Sequence, residues 1–167
     1  MRRPVDTYKA IISKRDTRAY LDKPIPDEVL HRILNAGRMA GSSKNSQPCR
    51  FIVMRDRANI ERLAACGDFT AAMRAAPLVI AILLEEGWRP FDVGRAAQNM
   101  MLAAWNEGIT SCPVGIQHIE EGREAVGAPG NFEVHMVVCF GYPQPSTPLS
   151  RGQKRTSLAE IVHQERW

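Results

Sequence analysis

The chain has 167 residues, 22 Lys and Arg against 18 Asp and Glu, and a formal net charge of +4, with 44% hydrophobic and 24% charged residues. That balance fits one ordinary globular domain over residues 1–167. No apolar run approaches the roughly 20 residues that a membrane-spanning helix needs, so no membrane partner is expected.

In chain order, the opening MRRPVD lacks the apolar centre of a signal peptide, and the expectation is a cytoplasmic protein. Residues 5–13 carry Val5, Tyr8, Ile11 and Ile12 at helical spacing. Pro24 and Pro26 break the chain, and Asp27 opens a second helix with Leu30, Ile33 and Leu34 on its apolar face. Residues 41–48, GSSKNSQP, are a loop of turn formers, followed by a short strand at 51–54 and a helix over 57–66. Residues 78–84 are nearly all apolar, as in a central strand covered on both faces. Residues 93–107 are loaded with Ala, Met and Leu, and a helix apolar nearly all round is a buried one. A strand at 133–140 closes on Gly141-Tyr142-Pro143. Beyond about residue 143 the Pro-rich stretch reads as an extended arm, ending in a helix to about residue 165 that a Ser157/Glu160 capping box starts. This order of helices and strands indicates an α+β or α/β sandwich around a buried helix.

Cys49, Cys66, Cys112 and Cys139 stand too far apart for a metal or disulfide motif and read as reduced thiols. The four histidines form no paired motif. There is no GxSxG elbow, GxxxxGK[ST] loop or GxGxxG fingerprint, which removes support for hydrolase and nucleotide-triphosphatase chemistry. Aromatics are only 7% of the chain and no nucleic-acid recognition motif is present, so nucleic acid is not an expected partner. A redox enzyme can delegate its chemistry to a cofactor and needs none of these motifs.

Two segments are candidates for binding. Lys14-Arg15-Asp16-Thr17-Arg18 is either a solvated basic turn or a grip for a phosphate and a polar ring edge. The loop at 41–48 offers hydroxyls, amides and backbone N–H groups, as an ordinary connection or a ligand loop. A second basic cluster, Arg151, Lys154 and Arg155, lies near the end.

Taken together, the stretch KRDTRAYLDKPIPDEVLHRILNAGRMAGSSKNSQPCRFIVM resembles the opening signature of the nitroreductase family. The likeness continues through Asp92-Val93-Gly94, Gln98-Asn99, the segment at 108–115 (GITSCPVG), Gly141-Tyr142-Pro143 and Lys154-Arg155. It implies an α+β fold, a central and mainly antiparallel sheet flanked by helices with a long buried central helix, as a three-layer sandwich. It implies an FMN-dependent oxidoreductase that takes electrons from NADH or NADPH and reduces a small electron-poor acceptor such as a nitroaromatic or a quinone. Relatives with dehalogenase or flavin-cleaving activity, and a flavin-binding regulatory or carrier protein without turnover, are the alternatives.

Residue by residue, the resemblance implies that Lys14, Arg15 and Asp16 meet the flavin phosphate and ribityl chain, with Arg18 at the pyrimidine edge. Asp16 would accept from ribityl hydroxyls or pair with Arg15 or Arg155. Ser42, Ser43 and Asn45, with Gln47 beside them, would reach the flavin of the other subunit in a homodimer. Pro113, Val114 and Gly115 would bring backbone up to flavin N5, and Lys154 and Arg155 would join the first basic turn at the phosphate. Asn99 would be a structural buried amide, and Arg74 a substitute for polar residues that relatives carry near 69–74. Trp88 and Phe91 would form a small aromatic lid or cover the core. No side chain is expected to act as a catalytic acid or base.

Overall fold

Strand β2 (Leu78–Glu85) organises the molecule. Every residue from Leu78 to Leu84 is buried, so both faces of the strand need cover. Its neighbours are β1 (Cys49–Met54) and β4 (Phe132–Gly141), and β3 (Thr110–Val114) pairs with the far side of β4. The order is β1-β2-β4-β3 and every pairing is antiparallel. In this computed structural model residues 6–147 and 154–167 are described.

The period of two sorts the sheet's apolar residues into two cores. Leu78, Ile80, Ile82 and Leu84 join Val138 and Phe140 on one face, under α2 (Asp27–Arg38) and α5 (Phe91–Asn106). Val79, Ala81 and Leu83 join Cys112, Val114, Val137 and Cys139 on the other, under α3 (Arg57–Ala64), α4 (Ala71–Ala75) and α6 (Ile119–Ala125). The result is the expected three-layer α+β sandwich. A register shift between Ile82 and Leu83 lets Leu83 pair with Val134, leaving His135 as the extra residue. Without that bulge the alternation would move Val134 to the α2/α5 face and turn His135 into the core under α3, α4 and α6.

The long helix corrects an expectation. It begins at Phe91 rather than 93, and it is buried along one side only, through Val93, Ala96, Ala97, Met100, Met101 and Ala104. Gly94, Arg95 and Gln98 are exposed and Phe91 is 71% exposed, because within one chain this helix belongs to an outer layer. Its inner side meets α2 closely: a Cβ at Gly37 would lie 2.8 Å from Met100 Cγ.

Three elements were not anticipated. Strand β3 carries Pro113 and two polar residues, a composition suited to an edge strand. Helices α4 and α6 are five and seven residues long, too short for a clear period. At the ends, α1 spans Thr7–Ser13, with Asp6 Oδ1 accepting from the Tyr8 N–H at 2.8 Å, and Val5 lies outside the described residues. The last helix, α7, is only Leu158–Ile161, and Ser157 makes no side-chain cap bond, so the expected capping box and its run to residue 165 are absent. Among the described residues no helix is long and apolar enough to cross a membrane.

Candidate functional site

The basic turn is stitched to the free side of β3. Asp16 bridges to Ser111 as a parallel partner, and the Thr17 N–H donates to the Ser111 carbonyl at 3.1 Å. Tyr20 then pairs with Pro143, and its hydroxyl donates to the Thr17 carbonyl at 2.6 Å. Burial pushes the Tyr20 phenol far above its usual range, so it stays a donor. The ring needs Gly141 opposite it, because a Cβ there would fall 2.7 Å from Tyr20 Cβ.

On this frame the cations differ in freedom. Arg15 turns its guanidinium back onto the Ile12 and Lys14 carbonyls, both at 2.8 Å, and so closes the end of α1. The Lys14 ammonium pairs with Asp16 and lies 3.3 Å from Met101 Sδ. Of the partners expected for Asp16, Arg15 is engaged elsewhere, and Lys14, two residues away on the same side of the turn, pairs with it instead. Arg18 is exposed and has no hydrogen bond or ion pair among the described residues. Its charge still reaches the buried Cys112 thiol, which burial raises and Arg18 partly lowers.

At the end of β3, Pro113 is half-buried, Val114 is buried and Gly115 is exposed. A Cβ on Gly115 would meet only Gln117 Nε2, at 3.4 Å, so the chain's own packing does not demand glycine there. A second loop supports this corner: the His118 N–H donates to the Cys66 carbonyl at 3.0 Å, and the Asp68 N–H to Gln117 Oε1 at 2.9 Å. Arg74, the suggested substitute near 69–74, is engaged within its own corner of the chain. It is bound to both Glu61 oxygens, at 2.9 and 3.0 Å, and to Thr70 Oγ1 at 2.7 Å.

The loop at 41–48 is held by its own side chains. Ser42 Oγ accepts from the Gln47 N–H at 2.9 Å, and Ser43–Asn45 form a 3-10 turn. Lys44, Asn45 and Gln47 have φ of 51°, 56° and 52°, in the left-handed region that non-glycine residues rarely enter. Ser43, Lys44 and Asn45 point exposed side chains outward, while Gln47 Nε2 reaches the Asn45 carbonyl at a long 3.5 Å. Behind the loop is a cavity of about 530 Å³ between α2, β1 and the start of α5, lined by His31, Leu34, Phe51 and Asp92 among others. Cys49 lies on its wall, with its thiol raised by burial and then by Asp92. Asn99 donates to the Ala36 carbonyl at 3.2 Å, a structural amide that is half-buried rather than buried as expected. Trp88 is 40% and Phe91 71% exposed, so neither covers the core.

The structure ties the Lys14–Arg18 turn to Ser111 of β3, the strand whose far end is Pro113–Val114, and leaves the 41–48 loop on the other side of the sheet. The turn lies on β3 and the loop leads into β1, the two outer strands of the sheet. Three strand spacings, about 14 Å, separate those strands. Among the described residues no hydrogen bond or ion pair joins loop to turn. Lys154 and Arg155 are exposed and make no such bond to the turn, and Arg151 lies outside the described residues. Sequence reasoning also missed two groups: Ser46 Oγ and Ser111 Oγ are the buried side-chain oxygens without a partner among the described residues. One sits in the loop and the other under the turn. Buried hydroxyls are normally satisfied, so both segments have hydrogen-bonding capacity that the chain itself does not use. Two cations, hydroxyls and exposed backbone along one strand edge suit a phosphorylated ligand with a polar ring, and FMN is of that kind. Among the described residues no group of His, Cys, Asp or Glu is placed to hold a metal.

The profile of the Nitroreductase family matches residues 11–67 and 68–142. The chain belongs to the Nitroreductase family. A candidate NADH dehydrogenase/NAD(P)H nitroreductase of Archaeoglobus fulgidus is 31% identical over 97% of this chain and 99% of its own. Among solved structures, a family protein of similar description from Bacteroides thetaiotaomicron superposes with a TM-score of 0.87, at 26% identity, over 96% of this chain and 98% of its own. A candidate nitroreductase from Desulfovibrio desulfuricans, solved in complex with FMN, gives 0.82 at 27% identity over 99% of both chains. The nitroreductase fold assigned from the forty-residue opening signature is therefore the fold observed.

Proposed function

We propose that this nitroreductase-family chain is an FMN-dependent oxidoreductase that takes reducing equivalents from NADH or NADPH and passes them to a small electron-poor acceptor, a nitroaromatic or quinone. The observation that carries this reading is the basic turn built into the edge of β3, the strand that leads to Gly115. When bound, FMN supplies the two-electron chemistry, accepting hydride from the nicotinamide and delivering it to the acceptor. The chain's own residues bind and tune. Lys14 and Arg18 supply positive charge, Arg18 with its guanidinium still free for a ligand. A cation at the ring's pyrimidine edge favours the reduced, more anionic state. Gly115 presents backbone without a side chain in the way, which suits close approach of a flat ring. Asp16, already paired with Lys14, offers an oxygen to ribityl hydroxyls rather than to phosphate.

The active form in this reading is a homodimer. Ser42, Ser43, Asn45 and Gln47 lie on the loop that enters β1, across the sheet from the turn, so a flavin that uses both takes one from each subunit. Apolar side chains left exposed in one chain fit that assembly: Tyr8, Ile11 and Ile12 on α1, Phe91 on α5, and Leu158, Ile161 and Trp167 on the arm. The arm also carries Lys154 and Arg155, which would reach a phosphate only once it is docked.

An anaerobic visible spectrum before and after addition of NADH or NADPH tests the proposal. Bound flavin that bleaches on addition is the expected result. Flavin that stays oxidised with both donors removes the nicotinamide-driven reaction, and a protein that neither contains nor takes up FMN removes the cofactor.

A further inference from the structure

The loop at 41–48 presents a structural problem. Three of its four residues from Lys44 to Gln47 are non-glycine residues in left-handed backbone, a state that persists only where the surroundings fix it. Two restraints are local: Ser42 Oγ clasps the Gln47 N–H at 2.9 Å, and Arg50 Nη1 donates to the Gln47 carbonyl at 2.8 Å. They fix the loop's far end to itself and to β1. Neither fixes where the loop leaves α2.

A third contact does. Arg95, one turn into α5, donates from Nη1 to the Gly41 carbonyl at 2.6 Å. Its guanidinium is steadied from its own helix by Asp92, 4.0 Å away, and by the Phe91 ring, 5.6 Å to the centroid. The fit around it is close, since a Cβ on Gly41 would lie 2.8 Å from Arg95 Nη2. The same helix grips the preceding turn of α2 through Asn99 and Met100, which touch Ala36 and Gly37. Helix α5 thus acts as a rail along which α2 and the loop are indexed, and Arg95 is its last fastening.

We infer that Arg95 is a positioning residue for the cofactor: by holding Gly41 it fixes the loop that delivers Ser42, Ser43 and Asn45 to the flavin. This rests on the proposed flavin site, in which those residues serve the site of the other subunit. The guanidinium is taken up by the Gly41 carbonyl and Asp92. Its effect passes through the loop, so one subunit's central helix sets part of the neighbour's cofactor affinity.

The test uses the full-length protein with Arg95→Met, Arg95→Lys, Gly41→Ala and the Arg95→Met/Gly41→Ala double variant. Hydrogen–deuterium exchange of the flavin-free protein is read first. Faster exchange across residues 41–48 in Arg95→Met, with exchange in β2 unchanged, is expected whether or not FMN binds. FMN affinity is then read by quenching of flavin fluorescence. Arg95→Met is expected to weaken binding about tenfold, as loss of a charge-assisted hydrogen bond does. The melting temperature should stay close to that of the parent, and Arg95→Lys should recover part of the affinity. Gly41→Ala attacks the same contact from the other side, and the double variant should bind no worse than Arg95→Met alone. FMN affinity within twofold of the parent in both single variants overturns the inference, as does additive loss in the double variant. A parent that binds no FMN overturns the flavin reading instead, and the exchange result then stands alone on the tether.

Discussion

The two halves of the candidate site are built by different means. The Lys14–Arg18 turn is an addition to the sheet: backbone bonds tie it to β3, Tyr20 wedges it against Gly141, and thiols and phenol beneath it are buried. The loop at 41–48 has no backbone ladder and depends on side chains, Ser42 within it and Arg50 and Arg95 around it. A turn held by main chain tolerates changes in its side chains and fails when its packing fails. A loop held by side chains keeps the fold when they are changed and loses its shape.

That contrast can be broken first at Gly141. Replacing it with Ala puts a methyl against Tyr20 Cβ and Cγ, atoms next to backbone that cannot swing away. A loss of about 1–3 kcal/mol is expected from such overpacking, read as a lower denaturation midpoint with FMN affinity falling alongside. A Gly141→Ala variant as stable as the parent would mean the turn is not wedged in this way.

Alkaline pH sharpens the same point. Cys139 lies on β4 opposite Cys112 of β3, with its thiol raised by burial well above its ordinary 9.0, and the Tyr20 phenol is raised too. The folded chain keeps these protons while the unfolded chain releases them, so unfolding is favoured as pH climbs through 9. Stability is therefore intact below pH 9 and falls above it, by about 1.4 kcal/mol per pH unit for each proton fully retained. Urea midpoints at pH 8, 9 and 10 check this. A Cys139→Ala variant should flatten the slope, and an unchanged slope would place the alkaline sensitivity elsewhere.

The smallest effect is expected at Ser42. Ser42→Ala removes the acceptor for the Gln47 N–H, a group in a solvent-accessible loop, for about 1 kcal/mol or less. The midpoint should barely move, while exchange at residues 43–47 should rise. A global loss as large as that of Gly141→Ala would erase the distinction between the two halves.

Much of this was legible in the sequence, and the failures have physical causes. The continuous apolar run at 78–84 marked a strand covered on both faces, and the alternation of β2 carried both cores. The forty-residue signature fixed the fold because it spans elements that lie in different layers. Strand β3 escaped notice because Pro113 and its hydroxyl neighbours look like a loop, and only an edge position lets them form a strand. The Lys14–Asp16 pair was not legible because sequence proximity to Arg15 says nothing of that guanidinium's turn toward Ile12. Helix α5 looked buried all round because composition averages over a helix, whereas Gly94, Arg95 and Gln98 fall on one side of it. Arg95 itself carried no signal, since its role depends on a carbonyl 54 positions away.

The strand order has a consequence for how the chain is made. β2 lies between β1, which precedes it, and β4, which is more than forty residues downstream. During synthesis β2 therefore emerges with one edge paired and the other open, and it stays so until residues 132–141 have been translated. Leu78-Val79-Ile80-Ala81-Ile82-Leu83-Leu84 has no charge and no proline, the composition of a segment prone to cross-β association. Such non-local pairing is slow as well. The nascent chain thus passes through an interval in which its most aggregation-prone strand awaits a partner not yet made, and a truncation before β4 would leave it there permanently.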